Sequence, residues 1–210
     1  MEILEKENEQ LKQNNILTDI LKEFQIIKEA ILVPYTIDSK IITSISQINL
    51  IKSGIKNINN NKIIFKLIFR GTRDGERASN FHKHCDGIPN TLSIFQTSKG
   101  YIFGGYTEQK WNSSSGCVSD PNTFIFSLDY MKIYKHKKGN SRAVHCTSGY
   151  GPYFCDTTGM VDNFFSSKSN YEQNVNDNYE GGEQNQKYEL NYGEQYFYGR
   201  EVEVFQVVFI

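Results

Sequence analysis

The run Lys62-Ile63-Ile64-Phe65-Lys66-Leu67-Ile68-Phe69 is apolar on both faces that a strand presents, as expected of a strand covered on two sides. A chain that must cover such a strand twice needs further apolar layers. The composition supplies them in a form that suits strands, with 14 Phe and 13 Tyr beside only 4 Pro among 210 residues. That length accommodates one substantial domain with an appendage. Thr91 to Thr97 and Tyr101 to Thr107 flank Ser98-Lys99-Gly100, a polar loop with glycine where a positive φ is needed, which predicts a hairpin. Gly104-Gly105 inside the second strand predicts a bulge or a close backbone approach, with a bend there.

Further short strands are expected over Thr123 to Asp129, Met131 to His136 and Ser141 to Thr147, punctuated by Asp120-Pro121 and Lys138-Gly139-Asn140. Near the C-terminus Val202 and Val204 alternate with Glu201, Glu203 and Phe205, the pattern of a closing strand. Between Ser166 and Gln195 the chain is rich in Asn, Ser, Glu, Gly and Tyr and poor in aliphatics, which predicts a long surface loop. No repeat at solenoid or propeller periods is visible. The expected fold class is α+β and β-rich: two antiparallel sheets packed as a sandwich, with short peripheral helices and an N-terminal helix.

The N-terminal 33 residues read as a helical arm. Glu2 to Gln13 is almost wholly Glu, Lys, Asn and Gln, with Leu4 and Leu11 seven apart in coiled-coil spacing. The heptad fails at Thr18, and the apolar positions shift to Leu17, Ile20, Leu21, Phe24 and Ile27, the stripe of an amphipathic helix over about 16–29. The stripe has two outlets, the domain or a partner helix, and self-association through residues 1–30 is one form of the second. Pro34 is expected to stop the helix. A short helix is expected over Ile41 to Ile51, and another over Ala78 to Cys85, after an Asp74-Gly75 turn and ended by Gly87.

A net charge of −1 gives no basic face for nucleic acid or an anionic membrane. No stretch approaches the roughly 20 apolar residues of a membrane-spanning helix, so membrane insertion is not expected. The charged opening Met1-Glu2-Ile3-Leu4-Glu5-Lys6 is unlike a secretory signal, which points to a cytoplasmic location. Cys85, Cys117, Cys146 and Cys155 include no CxxC pair, so reduced thiols are the default expectation.

Candidate chemistry is sparse. His82, His84, Cys85 and Asp86 are metal-ligand types, but on a helix positions 82 and 84 point about 200° apart. His145-Cys146 and Cys155-Asp156 would add ligands only if the segments met in space. Cys85 falls near a helix C-terminus beside Asp86, where a thiolate is disfavoured. Ser113-Ser114-Ser115 lacks the elbow of a serine hydrolase, and Gly104-Gly105 lacks a phosphate-binding pattern. Arg70, Arg73, Asp74 and Arg77 read as a structural ion-pair network. Neither a metal nor a cofactor is expected.

The run Phe69-Arg70-Gly71-Thr72-Arg73-Asp74-Gly75, followed by Phe81-His82 and Cys85-Asp86, resembles the opening motif of the TLDc family. The resemblance continues through Gly104-Gly105, Trp111, Asp120-Pro121, Gly151-Pro152 and Glu203 to Phe205, covering residues 36–208. After Phe154 the chain departs from the family's glycine-rich stretch, reading Cys155-Asp156-Thr157-Thr158-Gly159. The chain is thereby similar to oxidation-resistance proteins, which implies a two-sheet sandwich without established catalytic residues. The resemblance further implies a role in resistance to oxidative stress and binding to the vacuolar-type proton pump at the surface of acidic organelles. The leading expectation is a non-catalytic protein-binding module. The alternative is a weak peroxide-consuming or metal-dependent activity centred on Cys85, His82 and Cys146.

Overall fold

The computed structural model describes residues 2–56, 62–114, 116–155, 157–168, 170–172, 175–183 and 188–210, and side chains for these except residues 2–9, 29–35 and 170–172. Helix α1 (Glu2–Thr36) runs 35 residues, about 52 Å at 1.5 Å per residue. It is therefore longer than the predicted 16–29, and Pro34 does not stop it. Proline's fixed φ is itself helical, so Pro34 costs one donor near the helix end rather than the helix. The chain leaves the helix at Ile37, which is buried and forms a parallel bridge with Phe65.

Helix α2 (Ile45–Gly54) begins four residues later than expected, because Ile41 and Ile42 turn around the Ser39 hydroxyl, which accepts both of their N–H groups. A capping box then starts the helix: Ser44 Oγ accepts from Gln47 N at 3.1 Å, and Gln47 Oε1 accepts from Ser44 N at 3.1 Å. Its inner face buries Ile48 and Ile51.

Strand β1 (Ile63–Arg70) leads into one helical turn, α3 (Gly71–Asp74), and then into α4 (Ala78–Cys85), whose bounds match the predicted ones. The hairpin forms as expected from β2 (Thr91–Thr97) and β3 (Ile102–Thr107), with Gly100 at φ +96°. There follow β4 (Gly116–Val118), β5 (Phe124–Ser127), β6 (Lys132–His136), β7 (Val144–Cys146), β8 (Tyr150–Phe154) and β9 (Thr158–Val161). After these come β10 (Asn170–Glu172), α5 (Val175–Asn178), β11 (Tyr179–Glu180), a 3-10 turn over Glu189–Asn191, β12 (Tyr196–Phe197) and β13 (Gly199–Phe209).

Two sheets result, and every strand pair within them is antiparallel. One has seven strands in the order β1-β13-β2-β3-β5-β6-β11; the other has six, β12-β10-β9-β8-β7-β4. The core between them draws Phe95, Phe103, Val202 and Val204 from the first sheet and Phe154 and Met160 from the second, with Phe81 and Trp111 closing one side. A second core on the outer face of the seven-stranded sheet packs Leu92, Phe124, Phe126 and Phe205 under Ile41, Ile48 and Ile51. The sheet is thus covered twice, and β13 lies one strand in from its edge, between β1 and β2.

Three sequence expectations need correction here. The doubly apolar run is not covered on two sides along its length: β1 lies at a sheet edge, with Ile64 half exposed, and a register shift between Leu67 and Phe69 moves its apolar residues between the two cores. Gly104 and Gly105 do not bulge, since their pairing with both neighbours runs on unbroken. The other expected reason, a close backbone approach, holds at Gly104, where a Cβ would lie 2.1 Å from the Ser93 carbonyl oxygen and 2.7 Å from Phe126, while Gly105 admits a ring, its Cβ position lying 2.4 Å from Phe154 of the other sheet. Nor is 166–195 simply a surface loop. Val175, Tyr179 and Leu190 are buried in the inter-sheet core, supplying apolar area that the composition did not signal, while residues 169, 173, 174 and 184–187 lie outside the described ones.

Candidate functional site

The motif residues gather where β1 ends, beside β13. Arg70 Nε donates to Glu203 Oε1 at 2.7 Å, and its Nη2 donates to the Asp38 carbonyl at 2.8 Å and to Asp38 Oδ1 at 3.1 Å. Glu203 is fully buried, and its remaining lone pairs accept from Lys40 N at 2.9 Å and Ser39 Oγ at 2.5 Å. Burial works against charge on the Arg70 guanidinium, but Glu203 and Asp38 outweigh it and hold the group above its ordinary value. The neighbouring Glu201 also sits inside, where Oε1 accepts from Thr72 N at 3.0 Å.

Asp74 caps this turn. Its carboxylate accepts from Arg70 N at 2.9 Å and takes both prongs of the Arg73 guanidinium at 2.8 Å. The Arg73 hydrogen bonds are the main reason its carboxyl lies below the usual carboxylate range. Gly75 follows at φ +110°, and a Cβ there would lie 2.8 Å from Asn80 Oδ1, so the turn requires glycine.

His82 and His84 diverge, as the helical angle requires. His82 is buried; its Nε2 donates to the Thr147 and Tyr150 carbonyls at 2.8 and 3.0 Å, and its Nδ1 lies 2.7 Å from Asp86 Oδ1. His84 Nδ1 lies 2.8 Å from the Asn80 carbonyl of its own helix. Asp86 Oδ2 accepts from Ser113 Oγ at 2.9 Å, so His82 and Asp86 tie α4 to the β7–β8 turn and to the loop after Trp111; Ser115 lies outside the described residues. Trp111 packs against Phe81 and Phe154 and donates from Nε1 to Thr91 Oγ1 at 2.7 Å. Buried Asp120, preceding Pro121, accepts from Thr107 Oγ1 and Glu108 N, both at 2.7 Å, and from Asn122 N at 2.9 Å. Gly151, beside buried Pro152, lets the Phe164 ring to within 2.5 Å of where a Cβ would stand. Each of these side chains binds another part of the fold.

The thiols fall into two groups. Cys117 and Cys155 form a disulfide across 38 residues, linking β4 to the end of β8 past the intervening β7, which corrects the expectation of four reduced thiols. Pairing was hidden because the partners are remote in sequence and carry no motif. Cys85 and Cys146 stay free but buried, and burial pushes both thiols up, with the Asp86 charge adding to it. The described residues hold no cluster of three or more His, Cys, Asp or Glu fit for a metal; Asp156 lies outside them.

On α1 every described side chain from Gln10 to Lys28 is exposed, so the apolar stripe does not pack on the domain. Leu17, Ile20 and Ile27 are each 56% exposed and Phe24 is 65% exposed. No helix among the described residues is long and apolar enough to cross a membrane.

Residues 36–208 match the family model of the TLDc domain. The chain belongs to the TLDc family. Among curated proteins it is similar to the MTOR-associated protein MEAK7 of Danio rerio, with 26% identity over 86 residues, or 40% of this chain and 19% of the relative. The TLDc chain thus spans about a fifth of that relative's length. Sequence reasoning missed Glu201 as a buried partner of this site, and it missed the Glu189 network, in which Oε1 accepts from Tyr134 Oη at 2.7 Å and from Lys132 Nζ at 3.0 Å. The signal for Glu201 was present: two glutamates alternating with valines in a strand that pairs on both sides need buried donors.

Proposed function

We propose that this TLDc chain is a non-catalytic protein-binding module, with the domain docking on a protein partner and α1 joining two copies. The observation that carries this is the ridge of Leu17, Ile20, Phe24 and Ile27, each more than half exposed on a helix that leaves the domain's cores complete without it. In heptad terms these are successive a and d positions, and Glu23 at g then faces Lys28 at e of a parallel second copy, an attractive pair. The buried, elevated thiols and the structural bonding of His82 weigh against the peroxide or metal reading.

For the partner, the family resemblance supports a subunit of the vacuolar-type proton pump, a role in oxidative-stress resistance and a place on the cytoplasmic surface of acidic organelles. The relative's name, an MTOR-associated protein, supports a protein partner more generally. The test is capture from a eukaryotic lysate with the full chain as bait, beside a chain carrying Asp74→Ala and a ridge variant with Leu17, Ile20, Phe24 and Ile27 changed to Gln. Recovery of pump subunits supports the assignment. Specific recovery of other proteins without pump subunits removes the pump while keeping the binding class, and recovery of nothing removes the class.

A further inference from the structure

A cavity of about 630 Å³ opens between the C-terminal end of α2 and the β5–β6–β11 edge of the large sheet, away from the motif residues at Arg70 and Glu203. Its volume lies within the ~300–1,000 Å³ of small-molecule sites. Three of its lining residues are lysines, Lys56 after α2, Lys135 on β6 and Lys138 in the next turn, and among the described residues its single carboxylate is Glu180 on β11. Three lysines against one glutamate leave two positive charges in one recess, on a chain whose net charge is −1. Such local concentration attracts an anion even where the chain as a whole does not.

The lysines differ in how they are held. Lys56 Nζ donates to Asn122 Oδ1, and Asn122 Nδ2 in turn donates to Glu108 Oε2 at 2.8 Å, so the amide fixes Lys56 at the rim. Lys135 and Lys138 are exposed and form no ion pair with any described residue, although Glu180 sits opposite Lys135 in the strand register. Behind the recess the Phe124 ring is buried against Gly54, so close that a Cβ there would sit 2.7 Å from it, which fixes the end of α2 against β5.

We infer that this recess binds a small phosphomonoester, with Lys56, Lys135 and Lys138 around the phosphate. A phosphomonoester carries about −1.5 to −2 charge at pH 7, which matches the two net positive charges, whereas a carboxylate or sulfate monoester carries only one. Lysine ammonium groups act on phosphate as point charges and need no planar fork.

The test titrates phenyl phosphate, and separately phenyl sulfate of the same shape, into the full chain at pH 7.5 and low salt, followed by amide shifts in two-dimensional NMR. Saturable shifts at Asn122, Thr123, Lys135 and Lys138 are expected, with phenyl sulfate binding at least tenfold more weakly. The double variant Lys135→Gln/Lys138→Gln keeps an unchanged amide spectrum elsewhere, since both side chains are exposed, and loses at least tenfold in affinity. Absence of saturable shifts at these four amides, equal affinity for sulfate and phosphate, or equal affinity in the double variant would each overturn the assignment.

Discussion

Arg70 Nε and Glu203 Oε1 lie 2.7 Å apart, with the arginine side chain 9% exposed and the glutamate not at all, so β1 is latched to β13 by an ion pair inside the fold. A pair of this kind contributes little over a well-packed apolar pair, but breaking it strands a buried charge. Glu203→Ala is expected to destabilise the domain by about 3–5 kcal/mol, because Arg70 loses its buried partner and keeps only the exposed Asp38, and Ser39 and Lys40 lose their acceptor. Adding Arg70→Met should recover part of that loss. Urea midpoints for the two single variants and the double variant decide it: additive losses would mean that the two residues act separately.

Acid stability should report on Asp74 and Glu189. Burial pushes the Glu189 carboxyl up, but the Glu183 N–H, the Tyr134 hydroxyl and the Lys132 ammonium outweigh it and hold the group below the usual carboxylate range. Asp74 is held below that range mainly by Arg73. Folded values below the unfolded ones mean that the unfolded chain binds more protons as pH falls past about 4. Stability from these groups is therefore complete above that pH and is lost as pH drops through the folded values. Glu189→Gln should lower stability by about 1–3 kcal/mol at neutral pH and flatten the acid limb of a stability–pH curve. An unchanged acid limb would show that Glu189 does not set it.

What the sequence made legible was the set of elements with local signals. The β2–β3 hairpin could be read from its loop, α4 from its spacing, and Asp74-Gly75 as a turn from its residues. What stayed hidden was decided by distant parts of the chain. Ile63 to Phe69 read as covered on both faces because its apolar residues face two ways, yet a register shift, not double burial, accounts for them. Gly104-Gly105 carried a correct clue with two readings, and only the unbroken strand pairing and the nearness of the Ser93 carbonyl, with the Phe126 and Phe154 rings, choose close approach over a bulge. Glu203 was visible as a family residue, but its partners Ser39, Lys40 and Arg70 lie 133 to 164 residues away. The lysine-lined recess had no linear signature, because α2, β6 and β11 meet only in the fold.

The Cys117–Cys155 bridge closes a span of 38 residues, for which chain entropy predicts about 4 kcal/mol of stabilisation. Mild reduction should lower the urea midpoint of the wild type and leave that of Cys117→Ser/Cys155→Ser unmoved. Under denaturing, non-reducing conditions two of the four thiols should react with a thiol reagent, those of Cys85 and Cys146. Four reactive thiols would show that the bridge does not form.

Removing residues 1–30 separates the arm's role from the domain's. Every described side chain from Gln10 to Lys28 is exposed, and none belongs to either core, so the shortened chain should unfold within about 2 °C of the full one. A larger drop would mean that the arm packs on the domain after all. Association should respond in the opposite way. The exposed ridge is stabilised only when a second helix covers it, and the Glu23–Lys28 pairing favours a parallel partner. Light scattering on the full chain should give a dimer, the shortened chain a monomer, and Glu23→Lys a weakened dimer that Lys28→Glu on the same chain restores. A full chain that stays monomeric at tens of micromolar would remove the second copy as the ridge's partner, whatever the domain itself binds.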